Sequence, residues 1–283
     1  MIYLLLSIIC STSLVVILRL FDKWKIKTEY GIVFNYLVCV ITGLIAMDYK
    51  SMLQQVPSWN GWWICLLLGL GFILVFRIVG KSTIEAGVAS TTIAFKLSFI
   101  IPVIVAILFY GDALTANKII GIILAIAAVI LITYSGESQR AKISYLPLII
   151  FIGSGITDSV FNFIQRDYTP PGFDHIVTIT VFLGAFLSGF ILFGFKKEMY
   201  QWKNVLGGIV LGIPNYFSLF FLLKALKFTG WTPSILFPVN NLGIVMLSAV
   251  FGIVLFREHF NRNKIIGFLL ALLSISVIAF WNS

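Results

Sequence analysis

Apolar residues along this chain fall in long unbroken runs separated by short polar stretches. Measured against the roughly 20 residues a helix needs to cross a bilayer, ten segments qualify: 2–20, 30–47, 62–80, 86–109, 117–134, 144–163, 173–195, 204–223, 233–256 and 262–281. The runs are continuous rather than alternating, which excludes a β-barrel. Between them lie turn and charge signals such as Asp22-Lys23-Trp24-Lys25, Pro57-Ser58-Trp59-Asn60-Gly61, Gly136-Glu137-Ser138-Gln139-Arg140 and Pro170-Pro171-Gly172. The pattern predicts an all-α polytopic membrane protein with ten transmembrane helices and no loop long enough to fold by itself. The first run has neither a basic leader nor a small-residue cleavage site, so it reads as a retained span.

Composition agrees with the pattern. Apolar residues make up 60% of the 283 and charged residues 11%, less than half of what a soluble domain carries. The net charge of +9 is no nucleic-acid footprint, because the cations sit between apolar runs rather than on a basic face interleaved with aromatics. Numbering the loops by the segments they join, the odd loops and adjoining ends hold 14 Lys and Arg, the even ones 5, and Lys96 completes the 20. The positive-inside rule then puts the odd loops in the cytoplasm and both termini outside. All seven tryptophans (24, 59, 62, 63, 202, 231 and 281) lie at or just beyond a predicted end, as interfacial anchors do.

The chain repeats itself. Asn117-Lys118-Ile119-Ile120-Gly121 recurs as Asn263-Lys264-Ile265-Ile266-Gly267, an offset of 146 residues. The same offset brings Asp112 onto Glu258, Leu124 onto Leu270 and Ala125 onto Ala271. Each half, 1–136 and 143–283, then holds five spans. Five is odd, so the second half must enter the membrane inverted, as in many secondary transporters.

The units Phe109-Tyr110-Gly111-Asp112-Ala113-Leu114 to Gly121 and Phe256-Arg257-Glu258-His259-Phe260 to Gly267 each follow a proline-containing segment (Pro102, Pro238) and precede a final span rich in small residues. With Lys224-Ala225-Leu226 closing the eighth segment, this layout resembles the drug/metabolite transporter superfamily, in its ten-helix EamA-type branch. The first acidic position departs from the family's usual Glu, being Asp112. The resemblance implies two inverted five-helix repeats, a secondary transporter of a small polar metabolite such as an amino acid, transport in the direction of efflux, residence in the cell membrane (a bacterial inner membrane) and cytoplasmic termini. On that last point it differs from the charge count; in both readings the termini share a side.

Lys96 stands near the middle of the fourth segment, too deep for easy snorkelling. A lysine at a helix centre costs about 2.5–3.5 kcal/mol on insertion scales and is kept only with a partner or water beside it. Asp158 in the sixth segment is the natural counter-charge, on one polar stripe with Ser154, Asn162 and Gln165. Three readings stay open for the two: a structural ion pair, a substrate clamp, or a proton-coupling pair. Asn35, Asn215 and Ser218 after Pro214, and Asn240 and Asn241 after Pro238, either line the same cavity or hydrogen-bond between helices. The expected substrate-binding set is Lys96, Asp158, Asn162, Asn215, Asn240 and Asn241.

Arg19, Arg77, Arg166 and Lys224 near segment ends read as snorkelling cations, and Asp112 and Glu258 as acids at helix starts. Gly121-x-x-x-Ala125, Gly267-x-x-x-Ala271 and Gly208-x-x-x-Gly212 predict close helix approach, with the fifth and tenth segments packed together. Enzyme chemistry finds little support. His175 and His259 have no metal-ligand spacing, Gly69-Leu70-Gly71 opens no P-loop, and Cys10, Cys39 and Cys65 form no CxxC. No metal or other cofactor is expected; the partners are a small-molecule substrate, membrane lipids and protons, without nucleic acid. An integral membrane enzyme acting on a lipid-linked substrate and a passive channel are the alternatives.

Overall fold

The computed structural model describes residues 1–46, 59–111, 115–134, 144–170, 174–229 and 233–280. Asp112, Trp231, Trp281 and the 136–140 separator lie outside these residues, as do the side chains of Gln165, His175 and Pro238. The elements are α1 (Ile2–Lys23), α2 (Thr28–Ala46), α3 (Trp62–Glu85), α4 (Val88–Leu97), α5 (Ile100–Tyr110), α6 (Ala116–Thr133), α7 (Leu146–Asp167), α8 (Asp174–Phe193), a 3-10 turn at Lys197–Tyr200, α9 (Trp202–Thr229), α10 (Pro233–Phe256) and α11 (Arg262–Phe280). Among the described residues nine stretches are long and apolar enough to cross a membrane, α4 and α5 together forming one of them. The 19-residue α11 occupies the tenth expected place. The protein is a multi-pass helical membrane protein.

The fourth segment is not the single helix that its hydropathy suggests. Pro102 has no N–H to offer the carbonyl of Ser98, four residues back, and its ring crowds that carbonyl. The chain tightens there: the Ile101 amide donates to Ser98 O at 3.0 Å, and Ser98 Oγ donates to Phe95 O at 2.7 Å. The break falls two residues after Lys96. Beyond it, α5 makes its main contact with α7 alone and leaves Leu108 and Phe109 facing outward. Pro214 by contrast does not interrupt α9.

Sequence-distant helices build the bundle. α2 packs on α9 and α8, α3 on α8 and α7, α1 on α9 and α10, α4 on α10 and α7, and α6 on α11. Glycines set the closest of these seams. A Cβ on Gly69 in α3 would press into the α8 backbone, 2.7 Å from Gly184 Cα, and one on Gly208 in α9 would sit 2.9 Å from the Asn35 amide nitrogen in α2. In the α6–α11 seam Gly121 faces Ile278 and the Ser274 carbonyl, while Gly267 faces Ile132 and the Ala128 carbonyl. Ser274 Oγ closes the seam by donating to Gly121 O at 2.7 Å.

Two anchoring expectations need correction. Trp59 is 4% exposed and donates Nε1–H to the Tyr168 carbonyl, so it fixes the start of α3 to the end of α7 from inside the protein. An indole with its one donor satisfied loses nothing by burial. Arg19 does not reach outward in the way snorkelling implies, since its Nη1 is buried and the guanidinium stacks on Phe256.

Glycines facing backbone and glycines facing side chains should respond differently to one added methyl. Gly69→Ala meets peptide atoms that cannot rotate away, whereas Gly121→Ala meets an isoleucine side chain that can. Overpacking of this sort costs about 1–3 kcal/mol. Thermal melting in detergent is therefore expected to show a larger drop for Gly69→Ala than for Gly121→Ala.

Candidate functional site

The break after α4 puts Lys96 and Asp158 on the wall of one polar cavity. Its larger lobe, about 630 Å³, is lined by Lys96, Phe99, Asp158, Asn162, Asn240 and Asn241 among others. The second, about 320 Å³, shares Ser11, Lys96, Asp158, Phe161 and Ser218 with it and adds Asn215. All six residues expected from the sequence thus border these two adjoining lobes.

Their roles in the wall differ. Lys96 lies over the Phe95 ring, with Nζ 5.3 Å from its centroid. Asp158 is reached by Ser98 Oγ at 3.3 Å, from the helix break itself. Both charges face the cavity without closing into an ion pair, since no Lys96–Asp158 contact within 4.0 Å occurs among the described residues. Each instead keeps open space beside it, the condition under which a charge at membrane depth stays hydrated. Asn240 is buried with its Oδ1 unpartnered, and Asn241 and the exposed Asn162 complete the larger lobe. Asn215 divides its capacity, since its Nδ2 donates to Asn35 Oδ1 at 3.0 Å. Asn35 is fully buried and borders neither lobe, so it acts as a bracket between α2 and α9.

The smaller lobe holds residues that the sequence did not single out. Tyr36, Phe72, Phe76, Phe161 and Phe182 give it an aromatic wall, with Leu14, Val15, Val79 and Ile244 around them. With 26 phenylalanines in the chain, inward-facing and lipid-facing rings carry the same signature in sequence. Lys118 was also read only as part of the repeat; it lines the larger lobe.

The cavity is one-sided. From Lys96 its lining runs through Pro102 and Ala106 of α5 to Lys118 at the start of α6, Leu222 near the end of α9 and Phe237 near the start of α10. All of these lead to the face bearing the α5–α6 and α9–α10 connections. A side groove of about 380 Å³ between α5 and α7 continues it, ending where Arg166 stacks 4.0 Å from the Tyr110 ring centroid.

Neither lobe is lined by a described residue from the connections of the opposite face, where polar contacts join the loops. There Lys27 of the α1–α2 turn forms an ion pair with Glu198 in the 3-10 turn, a contact that raises the lysine and holds the carboxyl below its ordinary range through their shared hydrogen bond. Asn204 accepts from the Lys27 amide at 3.3 Å and donates to Glu198 O at 2.7 Å. Glu258, read from its position as an acid at a helix start, also reaches a second helix. Its carboxylate lies on the start of α4, and that helix start is where the Lys96-bearing element is held.

No family model matches the chain. A protein of Haemophilus influenzae described as an uncharacterized protein is 28% identical over 286 residues, spanning 96% of this chain and 95% of its own length.

The two kinds of polar residue separate under mutation. Lys96→Met removes a charge whose surroundings already hold water space, so the protein should still fold and melt near the parent temperature. Asn35→Leu strands Asn215 and crowds a glycine-tight seam; leaving a buried partner unsatisfied costs about 1–3 kcal/mol. A clear fall in melting temperature for Asn35→Leu and a small one for Lys96→Met is the expected result in detergent.

Proposed function

We propose that this protein is a secondary transporter of the EamA type within the drug/metabolite transporter superfamily, moving a small polar metabolite by alternating access. The observation that carries the reading is the central cavity: two opposite charges at membrane depth beside three asparagines, with a lining that leads to one face and includes no described residue from the connections of the other. A site of this kind can accept a molecule carrying both charge and polar groups, with Lys96 and Asp158 as its opposed contacts and Asn162, Asn240 and Asn241 around it. Asn215 borders the aromatic lobe, where an apolar part of the substrate would lie. Amino acids and similar compounds fit that description.

Packing supports two inverted repeats, 1–136 and 143–283. Exchanging the first five spans with the last five turns the α2–α9 seam into the α3–α8 seam, and the α1–α9 contact into α3–α7. It leaves α2–α8, α6–α11 and the α4–α10 contact unchanged. The α6–α11 seam supports the exchange at residue level: Gly121 meets Ile278 as Gly267 meets Ile132, and both pairs are related by the same 146-residue offset. Repeats of opposite membrane orientation give two nearly equivalent arrangements of one site, which is the basis of alternating access. A lining that leads to one face speaks for a carrier over a passive channel, which needs both faces open at once. With the odd loops cytoplasmic, as their cations suggest, the cavity faces outward; the cell membrane is the proposed location and efflux the proposed direction.

Counterflow in proteoliposomes tests this. With labelled amino acids and small organic acids, saturable exchange is expected for at least one compound, and Lys96→Met should lower it at least tenfold while leaving the protein folded. Acceleration by an imposed pH gradient, lost in Asp158→Asn, assigns proton coupling. Flux that never saturates overturns the carrier reading in favour of a channel.

A further inference from the structure

The carboxylate of Glu258 sits in a fitted socket. At the end of α10 Arg257 takes a left-handed backbone (φ 53°), and the Glu258 amide turns back to donate to Gly252 O at 2.9 Å. This aims the side chain across the junction at α4. There Glu258 accepts from the Val88 amide at 2.5 Å and from the Ala89 amide at 3.4 Å. Glycine makes the space on both sides, since a Cβ on either Gly87 or Gly252 would lie 2.8 Å from the carboxylate. Beside it Lys264 of α11 donates to the Ala86 carbonyl at 3.4 Å, so the last turn before α4 is held by a cation and the first turn of α4 by an anion. Glu258 is 8% exposed and Lys264 2%.

The energetics of this contact favour an all-or-none device. The amides at a helix start have no partner within the helix and carry a partial positive charge. A buried carboxylate is costly unless hydrogen-bonded. The carboxylate and the helix-start amides satisfy one another while they touch, and the amides need another acceptor once they part. The contact also joins two of the helices that bear the cavity's polar groups. α4 carries Lys96, about 12 Å along from Val88 at the usual rise per residue, and α10 carries Asn240 and Asn241.

The repeat supplies an independent observation. Lys264 and Lys118 are partners under the 146-residue offset, yet Lys264 is buried in the closed face while Lys118 lines the open cavity. One half thus has its lysine in the shut arrangement and the other in the open one.

We infer that Glu258 and the start of α4 form the releasable clamp of the closed face, and that parting them opens the Lys96–Asp158 cavity to that face. This rests on the alternating-access reading above. Glu258 is a positioning residue in this role, holding α4 rather than touching the transported molecule.

Side-specific thiol labelling tests the clamp without knowledge of the substrate. In a chain with Cys10, Cys39 and Cys65 replaced by serine, Thr92→Cys puts a reporter one turn beyond the clamp, at a position 1% exposed that lines the smaller lobe. A membrane-impermeant maleimide is applied from each side of oriented vesicles. With Glu258 intact the reporter should be protected from the closed face. With Glu258→Gln, which removes the charge and keeps the shape, labelling from that face should rise at least tenfold. An unchanged rate in a Glu258→Gln protein that still labels normally from the open face overturns the clamp and leaves Glu258 an ordinary helix cap. Equal labelling from both faces with Glu258 intact overturns the alternating-access reading itself. Should Glu258→Gln fail to fold, nitroxides at Glu85→Cys and Asn263→Cys report on the intact clamp: two distance populations support release, and a single fixed distance overturns it.

Discussion

A charge inside a bilayer has to keep company with water, and Lys96 imposes that constraint on everything around it. The helix that carries it stops one residue later, a second half-helix follows, and a cavity lies beside the break. Asp158 faces the same space from α7 and is touched by Ser98 at the break itself. A closed ion pair would have removed the need for that space. Because the two charges stand apart, the polar cavity and the broken helix are consequences of one another.

The seams that surround this opening are of a different kind. Gly69 against Gly184 and Gly208 against Asn35 bring backbones so near that no methyl group fits between them. In lipid, where apolar burial drives little association, such proximity and the hydrogen bonds it permits are what hold helices together. Rigid glycine seams beside a loosely held half-helix divide the bundle into parts that keep their shape and one part with freedom. Units of that sort are what the proposed alternating mechanism needs.

The architecture was legible because hydropathy answers to bilayer thickness, a single length that every span must meet. The six cavity residues were legible for a related reason: Lys96, Asp158 and the asparagines are costly in lipid and so mark protein interior or water. Other features left no such trace. The split of the fourth segment depends on Pro102 acting on Ser98, yet Pro214 in α9 causes no break; the same residue type has two outcomes decided by neighbouring helices. Tyr36 and the phenylalanines of the smaller lobe look like any lipid-facing ring. Asn35 looked like Asn240 in sequence, and only packing separates a bracket from a cavity wall. Glu258 reads locally as an acid ahead of α11, and nothing in its neighbourhood announces that its carboxylate also accepts from amides 169 and 170 residues away on α4.

The half-helix α5 brings the bilayer into the molecule's working parts. With α7 as its principal protein neighbour, the cavity on one side and Leu108 and Phe109 turned outward at 71% and 78% exposure, it presents its outer side to a surrounding bilayer. Chain packing in the surrounding leaflet presses directly on the one wall of the cavity that has least protein behind it. A wall supported in this way makes the surrounding leaflet part of the cavity's own scaffold, as a tent's fabric depends on its guy lines as well as its poles.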